Sequence, residues 1–239
     1  MELKQKVIQV LDKAHQAEQE FIASLSEAER NATSTLEQWS AKDVIARCAT
    51  WKKRLAGDIS AASRGQTPAQ VEDIDRATAE IYTECRDLPW EAILTLGETA
   101  HQLLTRSMDN LKEQDLRSTK ILAEREARPL WRRIVGNGYI HPVLHLVGFL
   151  SQRGQPSAAP RMYEEMASLL GDIDPDPEWQ GLLRYNLACG HSLAGEKERA
   201  ILELGEALRL NPGLIEWSKQ DPDFKPIREE AGYKAIYKQ

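Results

Sequence analysis

Apolar residues recur every three or four positions along most of this chain, and runs of alternating apolar and polar residues are nearly absent. That period is the mark of amphipathic helices. Leu3, Val7, Leu11, Ala14, Phe21 and Leu25 form one stripe and predict a helix over 2–25. The polar stretch 26–35 predicts a loop. Val44, Cys48, Trp51, Leu55 and Ile59 form a second stripe, with Ser40 placed to cap a helix over 42–62 and Gly65 and Pro68 placed to end it. A short helix over 74–85 follows. Pro89 then opens a long one whose buried side carries Trp90, Ile93, Leu94, Gly97, Ala100, His101, Leu104, Met108 and Leu111. A last helix is expected from Asn137 to Gln152, with Gly136 and Gly138 making the turn before it and Pro142 in its first turn.

Beyond Ser151 the pattern changes. Gly154, Pro156 and Pro160 mark a junction, which divides the chain into domains at 1–152 and 153–239. Met162, Met166, Leu169 and Leu170 predict a helix, and the acidic, proline-containing stretch 172–177 predicts a turn. In 183–212 two helical patterns flank Gly195 and stop at Pro212, with small residues at Ala188, Ala200 and Ala207 that let paired helices approach. A further helix is expected within 222–237.

Composition narrows the class of molecule. A hydrophobic content of 41% suffices for ordinary globular cores, and no apolar run approaches a membrane span. The charged amino-terminal stretch contains no signal-peptide block, so the expected location is cytoplasmic. A net charge of −6 without a basic cluster argues against a nucleic-acid partner. Arg125, Arg128, Arg132 and Arg133 alternate with Glu124, Glu126, Leu130 and Trp131, as a solvated connection would. Three widely spaced cysteines, Cys48, Cys85 and Cys189, indicate neither a disulfide framework nor a thiolate metal cluster.

The candidate chemistry lies in the first domain. His141 and His145 stand four apart, which puts two imidazoles on one helical face, and Trp39-Ser40 opens the helix that carries Arg47 and Trp51. The stretch 38–47 read with 137–145 resembles the DinB-like four-helix bundles, and within them the ClbS/DfsB type; the acidic, Trp-containing segment 82–91 adds to that resemblance. Members of that superfamily often hold a divalent metal with three histidines, one of them eight residues after the tryptophan. Here that position is Arg47, so the triad Arg47, His141, His145 is degenerate. A guanidinium has no lone pair to give and repels a cation, so no metal or other cofactor is expected. The segment 183–212 resembles a tetratricopeptide (TPR) repeat, with 214–228 resembling its closing cap. The expected fold is therefore all-α, a DinB-like bundle followed by a short TPR-like array.

These resemblances leave three functions open. In the first, the bundle binds or hydrolyses a small molecule, as self-protecting ClbS-like proteins do. His141 and His145 would then be catalytic, with Arg47, Trp39, Trp51 and Asn137 holding the ligand. In the second, the chain is a non-catalytic interaction module that takes a protein or peptide on its TPR segment. In the third, a substitute ligand completes a metal site and the chain resembles the metal-dependent thiol transferases. His101, without a partner at ligand spacing, reads as a core-edge histidine, and homodimerisation through a helix face stays open.

Overall fold

The computed structural model describes residues 2–68, 71–122 and 128–238, and every regular element among them is helical. The chain divides into two compact units, Met1–Phe149 and Leu150–Gln239. Among the described residues no helix is long and apolar enough to cross a membrane.

In the first unit the stripe of α1 (Leu3–Ser24) buries Leu3, Val7, Val10, Leu11, Ala14 and Phe21. The polar stretch after it is not all loop. Ser26 and Glu29 form a reciprocal capping box, which fixes enough backbone donors to make a one-turn helix, α2 (Glu27–Arg30). A second capping box, Ser40 with Asp43, starts α3 (Ala41–Ser63), and here both residues are buried. Asp73 caps α4 (Ile74–Cys85) by accepting from the Arg76 N–H, and Pro89 precedes α5 (Trp90–Ser107). The short α6 (Glu113–Arg117) follows. The core forms where α3 packs on α5 and α4, and where α1 packs on α5 and on the helix over residues 130–152.

That last helix departs from expectation. Gly136 and Gly138 make no turn, because the helix already begins at Leu130, behind Pro129. It runs as α7 (Leu130–Val135), a π-helical segment (Gly136–Ile140) and α8 (His141–Gln152). From Leu130 on this stretch is no solvated connection, since Leu130 and Trp131 are buried; Glu124, Arg125 and Glu126 lie outside the described residues. Pro142 has no N–H to give the carbonyl four residues back, and the widened turn, in which the His141 N–H reaches Gly136, absorbs that loss. Gly138 is closely packed. A Cβ there would run into the end of the Leu11 side chain and would stand 3.1 Å from that of Leu104, so a larger residue would force both leucines to shift.

The second unit contains α9 (Ala159–Leu170), α10 (Pro177–Leu193) and α11 (Lys197–Leu210). Gly195, with φ +79°, turns the chain between the last two, and Ala188, Ala200 and Ala207 are fully buried. The single helix expected over 222–237 is instead a 3-10 turn (Pro222–Phe224) and a short α13 (Ala231–Ile236), preceded by α12 (Ile215–Gln220). The break follows from the hydrogen bonding of Asp221. Its carboxylate accepts from the Asp223 N–H and the Tyr185 hydroxyl, and its carbonyl accepts from Arg228.

Candidate functional site

The capping box at Ser40 decides where the site forms, since it sets the first turn of α3 and with it the direction of Arg47. Trp39, just ahead of the cap, is pinned by its indole N–H to the Leu36 carbonyl at 2.8 Å. The Arg47 guanidinium lies 4.7 Å from the centre of the Trp39 ring, close enough for a cation–π contact. Trp39 in turn stacks on His145, with ring centres 5.6 Å apart and planes 7° from parallel. His145 and His141 meet through their Nε2 atoms at 2.9 Å, and Trp51 presents its edge to His141 at 6.4 Å. Arg47, Trp39, Trp51, His141 and His145 therefore converge. Asn137 does not join them: its amide donates to the Arg133 carbonyl, and it lines, with Trp51, a neighbouring cavity of about 780 Å³.

Arg47 is half-buried, its Nε is shut from water, and no carboxylate or hydrogen-bond acceptor among the described residues meets its guanidinium. Loss of solvent lowers its pKa below the usual arginine value, with Cys48 and Asp75 pulling weakly the other way. The histidines respond to the same environment. Burial, then His145, Arg47 and Lys52, hold His141 down at about 3, and burial, then Arg47, holds His145 at about 4. The imidazoles are therefore neutral at pH 7, and desolvation beside a cation is the cause.

The pair shares one proton between its facing nitrogens. His141 Nδ1 is buried without a partner, and an orphaned N–H there would cost more than an orphaned lone pair. His141 therefore carries its proton on Nε2 and donates it to Nε2 of His145. This donor set does not fit a divalent ion. His141 Nδ1 lacks the acceptor that orients a metal-bound imidazole, and the Arg47 charge beside the pair would repel a cation. Among the described residues the group whose ligand atoms cluster is Cys189, Asp221 and Asp223, which includes neither histidine.

Two further polar pairs went unnoticed in the sequence. Lys52 is 2% exposed and gives both of its bonds, at 2.6 and 2.7 Å, to the Glu18 carboxylate. His101 lies at the core edge, and it is paired there. It stacks on His15 with ring centres 4.1 Å apart, His15 meets Glu98 at 3.1 Å, and burial followed by His15 holds His101 down at about 4. A signal existed for the first pair: Lys52 is four residues after Cys48 and Glu18 four after Ala14, so each sits on an inward stripe. Cys48 itself is an inert core thiol, pushed far above its ordinary pKa by burial. Comparison of the chain with family models, with curated proteins and with solved structures finds no match.

Proposed function

We propose that the first unit binds a small molecule through a hydrogen-bond acceptor and hydrolyses a reactive bond within it, the protective activity that the resemblance to ClbS-like proteins implies. The observation that carries this reading is the Arg47 guanidinium, desolvated on the face of Trp39 with no acceptor of its own, beside a histidine pair. A carbonyl or carboxylate on Arg47 would satisfy a donor whose burial otherwise costs several kcal/mol, roughly. A carboxylate would also offset the charge of Arg47, which adds to burial in holding both histidines down, and so raise their basicity when ligand is bound.

The chemistry then needs only water. The ligand first opens the His141–His145 hydrogen bond, which frees His145 Nε2 to accept a proton as a water oxygen bonds to the electrophilic carbon; the strained carbon–carbon or carbon–oxygen bond breaks toward the group polarised by Arg47. The leaving atom recovers the proton from His145. No oxidant or metal enters the balance.

The test is a panel of epoxides, lactones and activated cyclopropanes offered to the protein, to Arg47→Ala and to His145→Ala. Binding is read as a thermal shift and turnover as addition of one water by mass spectrometry. Arg47→Ala is expected to lose the ligand-dependent shift, and His145→Ala to keep the shift and lose about a hundredfold in turnover. Equal turnover by all three proteins would remove the assignment.

A further inference from the structure

A second cavity, of about 790 Å³, opens between α3, α5 and the stretch 110–121, and it shares no residue with the histidine pair or with the cavity beside Asn137. Short side chains make the room. Ala56, Gly57 and Ser60 form the α3 wall, and a Cβ at Gly57 would meet nothing within 4 Å. Ile59 and Leu111 give the lining buried apolar surface, and Leu103 of α5 stands beside them 39% exposed. Covering such a leucine with hydrocarbon is favourable, and the volume falls within the range of small-molecule sites.

The polar groups of the lining divide sharply. Ser60 Oγ accepts from Arg64 at 2.6 Å, Ser107 Oγ donates to the Leu104 carbonyl at 2.7 Å, and the Asp115 carboxylate accepts the Lys112 N–H at 2.8 Å in capping α6. Lys53 of α3, Arg106 of α5 and Lys120 beyond α6 are different: all three side chains line the cavity, and none of them has a partner among the described residues. Each is exposed, so its charge is open to a ligand. Three cations thus stand against one engaged carboxylate, in a chain whose net charge is −6. Apolar surface ringed by unpaired cations from three separate elements matches a molecule with a hydrocarbon body and an anionic head.

We propose that this cavity binds an amphipathic carboxylate, its tail against Ile59, Leu103 and Leu111 and its head among Lys53, Arg106 and Lys120. Exposed cations hold an anion weakly, so the head sets selectivity and the tail supplies most of the affinity, at about fourfold per buried methylene. The site is separate from the histidine pair, and either can fail without the other.

The test titrates the full chain by calorimetry with dodecanoate, with dodecyltrimethylammonium and with acetate, each below the concentration at which it forms micelles. Dodecanoate is expected to bind saturably, and the cationic amphiphile and the tailless anion at least about tenfold more weakly. Decanoate, two methylenes shorter, should also bind about tenfold more weakly. Gly57→Leu fills the open space at a helical position that leucine favours over glycine, so the variant should fold and lose at least about tenfold in affinity. Lys53→Gln combined with Arg106→Gln should lose about fivefold, and high salt should erase that difference. Absence of saturable dodecanoate binding, equal binding of the cationic amphiphile, or unchanged affinity in either of these variants overturns the assignment. Loss of binding in Arg47→Gln, with full binding retained by the Lys53 and Arg106 double variant, would move the carboxylate to the histidine site and overturn it as well.

Discussion

Lowering the pH from 7 to 5 should destabilise the first unit selectively, because three of its histidines fold in their neutral form. Burial holds His101 and His145 at about 4 and His141 at about 3, against 6.5 in the unfolded chain. The unfolded state therefore binds protons first as the pH falls, and stability that is complete above pH 6.5 is lost progressively down to the folded values. At pH 5 each group forfeits about 2 kcal/mol, and screening of these half-buried rings trims the sum for three to about 4 kcal/mol. That is a large share of the roughly 5–15 kcal/mol that holds a domain together. The second unit carries the opposite sign. Burial and Asp221 raise Asp223 to about 6, so its folded form keeps a proton that the unfolded form releases, and the unit gains about 1 kcal/mol over the same interval. Urea unfolding followed by amide resonances of each unit, at pH 7 and pH 5, would separate the two effects. Carbon-bound proton shifts of the five histidines would show directly which ones stay neutral. An unchanged midpoint for the first unit, or titration of His101, His141 and His145 near 6.5, would refute the reasoning.

Removing the cation of the buried ion pair, Lys52→Met, strands Glu18 in a site where its side chain is 15% exposed, and should cost about 3–5 kcal/mol in urea denaturation. Adding Glu18→Gln should recover at least half of that loss, since the uncompensated charge goes with it. Gly138→Ala should destabilise by about 1–3 kcal/mol, because its Cβ meets Leu11 and Leu104. Gly136→Ala, with open space at the same helix, should be neutral or stabilising by about 0.5–1 kcal/mol. Equal melting temperatures for the two glycine variants would mean that α1 and α5 do not pack against the π-helical segment as described.

Much of the architecture could be read from spacing alone, because stripes such as Val44, Cys48, Leu55 and Ile59 do face a core and the cap at Ser40 does start a helix. What spacing could not supply was the state of each polar group. Lys52 and Glu18 look like surface charges until α1 and α3 are set side by side, and Arg47 is orphaned only once every neighbour has a place. The helix over residues 130–152 is different, since its sequence held a signal that the glycines obscured. Its buried residues recur at a period of four: Leu130 and Trp131, Ile134 and Val135, Gly138 and Tyr139 with Ile140 beside them, Pro142 and Val143, Leu146 and Val147. An unbroken α-helix advances about 100° per residue, so four steps of that period would carry the stripe about 160° around the axis, out of the core. A π-helical segment advances less per residue, and five residues of it return about 90°. The remaining drift fits within the roughly 100° width of an ordinary buried face. A strict period of four therefore requires a widened turn somewhere between 130 and 147. Placing it at Gly136–Ile140 keeps Val143 and Val147 in the core, and leaves His141 and His145 on the flank that meets Trp39 and Trp51.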